Sequence, residues 1–224
     1  MNTEKKRFFS SIAIPLILLF IMWAVKLVET GFGISLSFLG NYPLHVNGLQ
    51  GIVLMPFVHG DMKHLLANSG TFLILATALF YFYREISLRV LIGIWIISGI
   101  WVWFGGRESW HIGASGIIYG LSSFLFFSGM IRKNTQLAAL AMVVAFLYGS
   151  MIWGIFPEFF PKENISWEGH LGGLIAGVIL TFYFRKSGPQ RKKYSWDYED
   201  EENEESDEGE KPYWKVTNKN TDTT

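Results

Sequence analysis

Residues 109–131 read SWHIGASGIIYGLSSFLFFSGMI, an uncharged stretch lying between Glu108 and Arg132. A helix crossing a bilayer needs about 17–25 mostly apolar residues, so this stretch is long enough to span. Similar uncharged runs lie on either side of it, at 8–25, 65–83, 90–106, 134–157 and, shorter, at 169–184. Together they predict an all-α, polytopic membrane protein built as a bundle of six transmembrane helices. One further uncharged stretch, 31–60, is interrupted by Gly33, Gly40, Pro43, Gly48, Gly51 and Pro56. It reads as an irregular first outer loop, because non-helical backbone at membrane depth is tolerated only inside protein or at the interface.

Composition agrees with a membrane chain: 50% of residues are hydrophobic and 17% aromatic. The net charge of zero is a cancellation. Residues 1–196 carry sixteen Lys and Arg against eight Asp and Glu, whereas 197–224 carry three against eleven. The overall balance therefore gives no argument for nucleic-acid binding. The chain has no cysteine, which excludes disulfides, thiolate nucleophiles and Cys-ligated metal centres.

Basic residues in short loops stay on the cytoplasmic side. Six spans put Lys5, Lys6, Arg7, Arg84, Arg89, Arg132, Lys133, Arg185, Lys186, Arg191, Lys192 and Lys193 on one side, against Lys26, Lys63, Arg107 and Lys162 on the other. Both termini are thus expected in the cytoplasm. No small-x-small cleavage site follows Lys5-Lys6-Arg7, so the first run reads as a retained span and not a signal peptide. Residues 1–186 form the predicted membrane domain. Residues 187–224 read as a disordered acidic cytoplasmic tail, since ten acids among the fourteen residues 197–210 cannot bury enough apolar surface to fold. Within that tail, Pro212-Tyr213-Trp214 is the one place where a partner motif fits.

Polar groups inside spans are costly, and each is a candidate functional residue. His64 and Asn68 open the second run, Ser115 lies early in the fourth, and His170 begins the sixth. In the derived orientation all three runs start at the outer face. A serine becomes a nucleophile when a base accepts its proton, and histidine suits that role near neutrality. Ser115 and His170 form the candidate dyad. Asn68, one turn after His64, is a candidate oxyanion donor. Gly116 and Gly120 on one run and Gly169, Gly173 and Gly177 on the other form faces that allow close helix packing. Glu168 is not expected to orient His170. The five histidines raise a metal reading, but no His-Glu-x-x-His pair is present and no carboxylate lies in a span. No metal and no cofactor are expected, and His59 and His111 are expected to make structural hydrogen bonds.

These motifs, His64-x-x-x-Asn68, Gly113-x-Ser115-Gly116 and Gly169-His170-x-x-Gly173-x-x-x-Gly177, resemble those of rhomboid intramembrane serine proteases over roughly residues 44–185. The resemblance implies Ser115 as nucleophile, His170 as base, His64 and Asn68 in the oxyanion hole, and Tyr119 packed against the histidine in place of a carboxylate. The chain departs from bacterial members in lacking a Trp-Arg pair in its first outer loop. Also implied are an integral protein of a bacterial cytoplasmic membrane, an active site near the outer face, transmembrane proteins as substrates, and Trp153 and Phe156 near a lateral gate. The alternative is a catalytically inactive rhomboid-like binder of membrane-protein clients.

Overall fold

The computed structural model describes residues 3–156, 158 and 165–191. The acidic stretch and the Pro212-Tyr213-Trp214 cluster lie outside the described residues, as does Lys162. Seven α-helices follow one another among the described residues, with no strand between them. They are α1 (Thr3–Phe32), α2 (Gly51–Leu54), α3 (Met62–Phe82), α4 (Ser87–Gly105), α5 (Ser115–Ile131), α6 (Thr135–Tyr148) and α7 (Trp167–Tyr183). Each helix except the four-residue α2 overlaps one of the uncharged runs.

Four segments are long and apolar enough to cross a membrane: α1, α3, α4, and α6 continued by a 3-10 turn to Ile155. α5 and α7 have 17 residues each, about 25 Å at 1.5 Å per residue, which is shorter than a hydrocarbon core of about 30 Å. The reason is local. The uncharged run from residue 109 is not helical before Ser115: His111 pairs with Asn41 through two backbone hydrogen bonds of 2.8 and 2.9 Å. Gly113 then takes φ +103°, a conformation that L side chains rarely adopt.

Caps fix where the helices begin. Asp61 accepts from the His64 N–H at 2.7 Å to start α3, the Asn134 carboxamide oxygen accepts from Gln136 and Leu137 to start α6, and Ser166 accepts from Gly169 at 3.3 Å to start α7. The expected irregular loop contains α2 and three short 3-10 turns. It is fastened to α4: Asn41 Nδ2 donates to the Gly99 carbonyl, and the indoles of Trp95 and Trp103 donate to the carbonyls of Val53 and His45. That satisfies polar backbone which lipid cannot hydrate.

The core runs along α3, α4 and α5, with Phe72, Leu75, Leu79, Ile94, Ile117, Leu121 and Phe124 fully buried. α5 packs most extensively on α7. Water exclusion does little to hold helices together in lipid, so close backbone approach must. A Cβ at Gly173 would strike the Gly116 carbonyl, and one at Gly177 would strike the Gly120 carbonyl. The predicted small-residue faces are therefore in contact. At the far end, buried Arg132 donates to Ser128 Oγ and to the carbonyls of Phe184, Ser187 and Pro189, at 2.6–2.9 Å. These bonds tie the end of α7 to the end of α5.

Candidate active site

Ser115 is the first residue of α5, and His170 lies in the first turn of α7. The glycine contact between the two helices brings Ser115 Oγ to 2.9 Å from His170 Nε2. On the other side of the ring, Nδ1 lies 2.8 Å from the Gly154 carbonyl oxygen. A carbonyl only accepts, so Nδ1 carries the hydrogen, and Nε2 is left with a lone pair aimed at the Ser115 hydroxyl. The Tyr119 ring stacks on the imidazole with centroids 4.2 Å apart and planes 6° apart. Its own hydroxyl donates to the Met151 carbonyl at 2.5 Å. His170 is held on both nitrogens and one face, and it is buried.

His64 and Asn68 project from α3 toward the same spot. A Cβ on Gly113 would lie 3.0 Å from His64 Nε2 and 3.6 Å from Asn68 Nδ2. Gly113 thus leaves room for both beside the segment that leads into Ser115. Asn68 Nδ2 is buried and has no hydrogen-bond partner among the described residues. All five residues singled out in the sequence gather at one end of the bundle.

Glu168, buried on α7, does not approach His170 as a partner. Its Oε1 accepts from the Arg107 backbone N–H at 3.3 Å and lies 3.5 Å from Arg107 Nε. Arg107 also donates to the Ile165 carbonyl, closing the loop before α5 onto the start of α7. His111 fulfils the expected structural role: its Nδ1 lies 2.6 Å from Ser166 Oγ and its Nε2 lies 3.0 Å from the Arg107 carbonyl. Burial lowers its pKa from the ordinary histidine value.

His59 departs from expectation. Neither ring nitrogen has a hydrogen-bond partner among the described residues, and the ring packs edge-on against His64 with centroids 5.0 Å apart. Burial, with the neighbouring His64 ring second, pulls its pKa down to about 4, so it is neutral at pH 7.

Sequence reasoning missed two features. The first is the Gly154 carbonyl, whose main-chain atom has no signature in a sequence. The second is a buried ion pair on α1: Lys26 Nζ lies 3.3 Å from Glu29 Oε2 and donates to the carbonyls of His59 (2.9 Å) and Gly60 (3.0 Å). Glu29 Oε1 accepts from the Leu36 N–H at 2.7 Å. The pair pins both ends of the outer loop to α1, just ahead of the helix that carries His64 and Asn68. A charge pair so close to a predicted span was the available signal.

Known proteins carry the same chain pattern. An uncharacterised protein of Mycobacterium tuberculosis is 31% identical over 178 residues, covering 77% of this chain and 73% of its own. An uncharacterised protein of Mycobacterium leprae is 30% identical over 190 residues, covering 77% and 70%. A protein of Acanthamoeba polyphaga mimivirus, named as a rhomboid protein, is 31% identical over 137 residues, covering 59% and 73%. The family model described as Rhomboid domain matches residues 47–187, a range that takes in α2 to α7 and every residue of the site. The chain, an integral membrane protein by its four apolar helices, therefore belongs to the rhomboid family.

Proposed function

We propose that this protein is an intramembrane serine endopeptidase that hydrolyses peptide bonds in or near transmembrane segments of membrane proteins. The 2.9 Å contact between Ser115 Oγ and His170 Nε2, with Nδ1 anchored on Gly154, carries the reading. Ser115 Oγ attacks the scissile carbonyl carbon while its proton passes to Nε2. Asn68 Nδ2 and His64 donate to the resulting oxyanion, where preorganised donors in a dry site act most strongly. His170 then gives its proton to the departing amine, leaving an acyl ester on Ser115. Water attacks the ester, His170 takes its proton, and the acid product leaves with the Ser115 hydroxyl restored. The chemistry needs no cofactor.

In this reading all six long helices cross the membrane, both termini are cytoplasmic and the site opens near the outer face. α5 and α7 fit a site below the surface because they are short and begin at it. In this reading residues 191–224 take no part in the chemistry. Labelling of purified protein with a fluorophosphonate, and cleavage of a reconstituted single-span substrate, test the proposal. Both signals should vanish in Ser115→Ala; cleavage that survives that substitution refutes the serine mechanism. Removal of residues 197–224 should leave the intrinsic cleavage rate unchanged, and loss of cleavage by inserted, truncated protein refutes the separation of the tail.

A further inference from the structure

At the end of the bundle opposite Ser115, a cavity of about 630 Å³ opens between α1, α3 and α6. Glu4 and Arg7 of α1 stand at its mouth, one helical turn apart, and Tyr81 of α3 lies against both. The Tyr81 hydroxyl donates to Glu4 Oε2 at 2.7 Å. Arg7 donates to the Tyr81 carbonyl at 2.9 Å, and its guanidinium carbon lies 4.5 Å from the centre of the Tyr81 ring. Yet Glu4 and Arg7 form no ion pair with each other among the described residues. One tyrosine thus fixes a carboxylate and a guanidinium side by side, each with hydrogen-bonding capacity left over, since a guanidinium has five N–H donors and a carboxylate two oxygens.

The walls change character with depth. α1 and α6 both begin at this end of the bundle, so moving along either leads from the mouth toward the interior. On α6 the lining passes from Gln136 to Leu140 and Val143, a climb of about 10 Å at 1.5 Å per residue. Phe82, the last residue of α3, lies beside Tyr81 at the level of the mouth. The cavity is therefore polar and doubly charged at the helix ends and apolar further in. This is the profile of a membrane amphiphile standing upright in one leaflet, and a soluble ligand would leave the apolar part unfilled.

The charges choose the headgroup. We propose that this cavity binds a phospholipid bearing a primary ammonium, its phosphate against Arg7, its ammonium against Glu4 and the start of an acyl chain along Leu140 and Val143. Phosphatidylglycerol would set the same phosphate against Arg7 but brings no cation, so the Glu4 charge is left without a partner. A quaternary ammonium has no N–H to give the carboxylate, so it forfeits the charge-assisted hydrogen bond.

The test uses the full chain in nanodiscs containing equal parts of phosphatidylethanolamine, phosphatidylcholine and phosphatidylglycerol with identical acyl chains. Native mass spectrometry counts the lipids retained on the released protein. The expected result is enrichment of phosphatidylethanolamine by about ten-fold over the other two, the order given by one added hydrogen bond to a charged group. Glu4→Gln should bring phosphatidylethanolamine down to the level of phosphatidylcholine, and Tyr81→Phe, which frees the Glu4 side chain, should reduce the enrichment. Arg7→Gln should lower retention of all three, whereas Arg84→Gln, outside the cavity, should change nothing. Glu4→Gln and Tyr81→Phe leave the bond from Arg7 to the Tyr81 carbonyl untouched, so they keep the test valid if Arg7→Gln does not fold. Equal retention of the three lipids by the unsubstituted protein, or enrichment unchanged in Glu4→Gln, overturns the proposal. Displacement of the lipid by free phosphoethanolamine at matched concentration overturns the assignment to a membrane lipid.

Discussion

His170 Nδ1 lies 2.8 Å from the main-chain oxygen of Gly154, a residue of the 3-10 turn that continues α6. In serine hydrolases with a triad, a carboxylate holds the imidazole in its working tautomer and offsets the charge that forms on it. Here a neutral carbonyl dipole selects the tautomer, and the stacked Tyr119 ring fixes the plane. The same short turn supplies the Met151 carbonyl to the Tyr119 hydroxyl. The segment after α6 therefore bears on the candidate base twice, directly and through the tyrosine.

Gly154→Ala follows from that geometry. A Cβ at this position would collide with the Tyr119 hydroxyl and come within 3.3 Å of His170 Nδ1. Either the turn retreats, lengthening the Nδ1 hydrogen bond, or the tyrosine ring moves off the imidazole. Substrate cleavage should fall by roughly ten- to a hundred-fold, within the range that general acid–base catalysis contributes. Helical content by circular dichroism should be unchanged. A cleavage rate equal to that of the unsubstituted protein would remove Gly154 from the site.

Substitutions at Tyr119 separate its two contacts. Tyr119→Phe keeps the stacked ring and loses only the bond to Met151, so cleavage should stay within about three-fold of the original, the effect expected of one modest hydrogen bond. Tyr119→Ala removes the ring as well. An aromatic pair contributes about 0.5–1.5 kcal/mol beyond its buried area, and loss of orientation adds to that, so the rate should fall by about ten-fold or more. Equal rates in the two variants would mean that the stack does not position the base.

His59 predicts a pH dependence of stability. Its pKa is lowered from 6.5 in the unfolded chain to about 4 in the fold, chiefly by burial. Between those values the unfolded chain binds the proton more readily, so stability rises with pH across this window and is lost as pH falls through it. Each pKa unit corresponds to about 1.4 kcal/mol, giving about 3 kcal/mol at stake between pH 6.5 and 4. His111, also lowered by burial, acts in the same direction. The melting temperature in detergent should hold steady from pH 8 to 7 and drop on acidification below about 6.5. His59→Asn, which cannot titrate there, should flatten part of that drop; an identical slope in the variant would assign the effect elsewhere.

Much of the site is legible in sequence because its side chains are the costly kind. A histidine, an asparagine and a serine set among apolar runs need a reason to be there, and glycines at four-residue spacing indicate where backbones touch. The structure gathers Ser115, His170, His64, Asn68 and Tyr119 at one end of the bundle. What escapes notice is carried by the main chain. The uncharged run continues back through Trp110, yet the helix starts only at Ser115, because Gly113 turns the backbone and His111 and Gly113 pair with Asn41 and Met55 of the outer loop instead. The Gly154 carbonyl is an atom that every residue possesses. The ring of His59, expected to hydrogen-bond, packs against His64 with neither nitrogen partnered among the described residues, and composition does not distinguish these two uses of a buried histidine.

Lys26 carries the remaining prediction. Its ammonium has three hydrogens and three acceptors, Glu29 Oε2 and the carbonyls of His59 and Gly60, so it is a fully satisfied buried cation. Lys26→Met leaves Glu29 buried beside an apolar chain and frees two carbonyls, and breaking a buried pair in this way costs about 3–5 kcal/mol. Lys26→Met combined with Glu29→Gln removes the stranded charge, and the glutamine can still accept from the Leu36 N–H. The double variant should therefore melt at a higher temperature than Lys26→Met alone. If the loop anchor matters to the site beyond stability, both variants should cleave more slowly at temperatures where each remains folded, since both release the His59–Gly60 backbone just ahead of His64. Equal melting of the single and double variants would show that Glu29 finds no buried charge to lose, and that the pair does not hold the loop through its ionic contact.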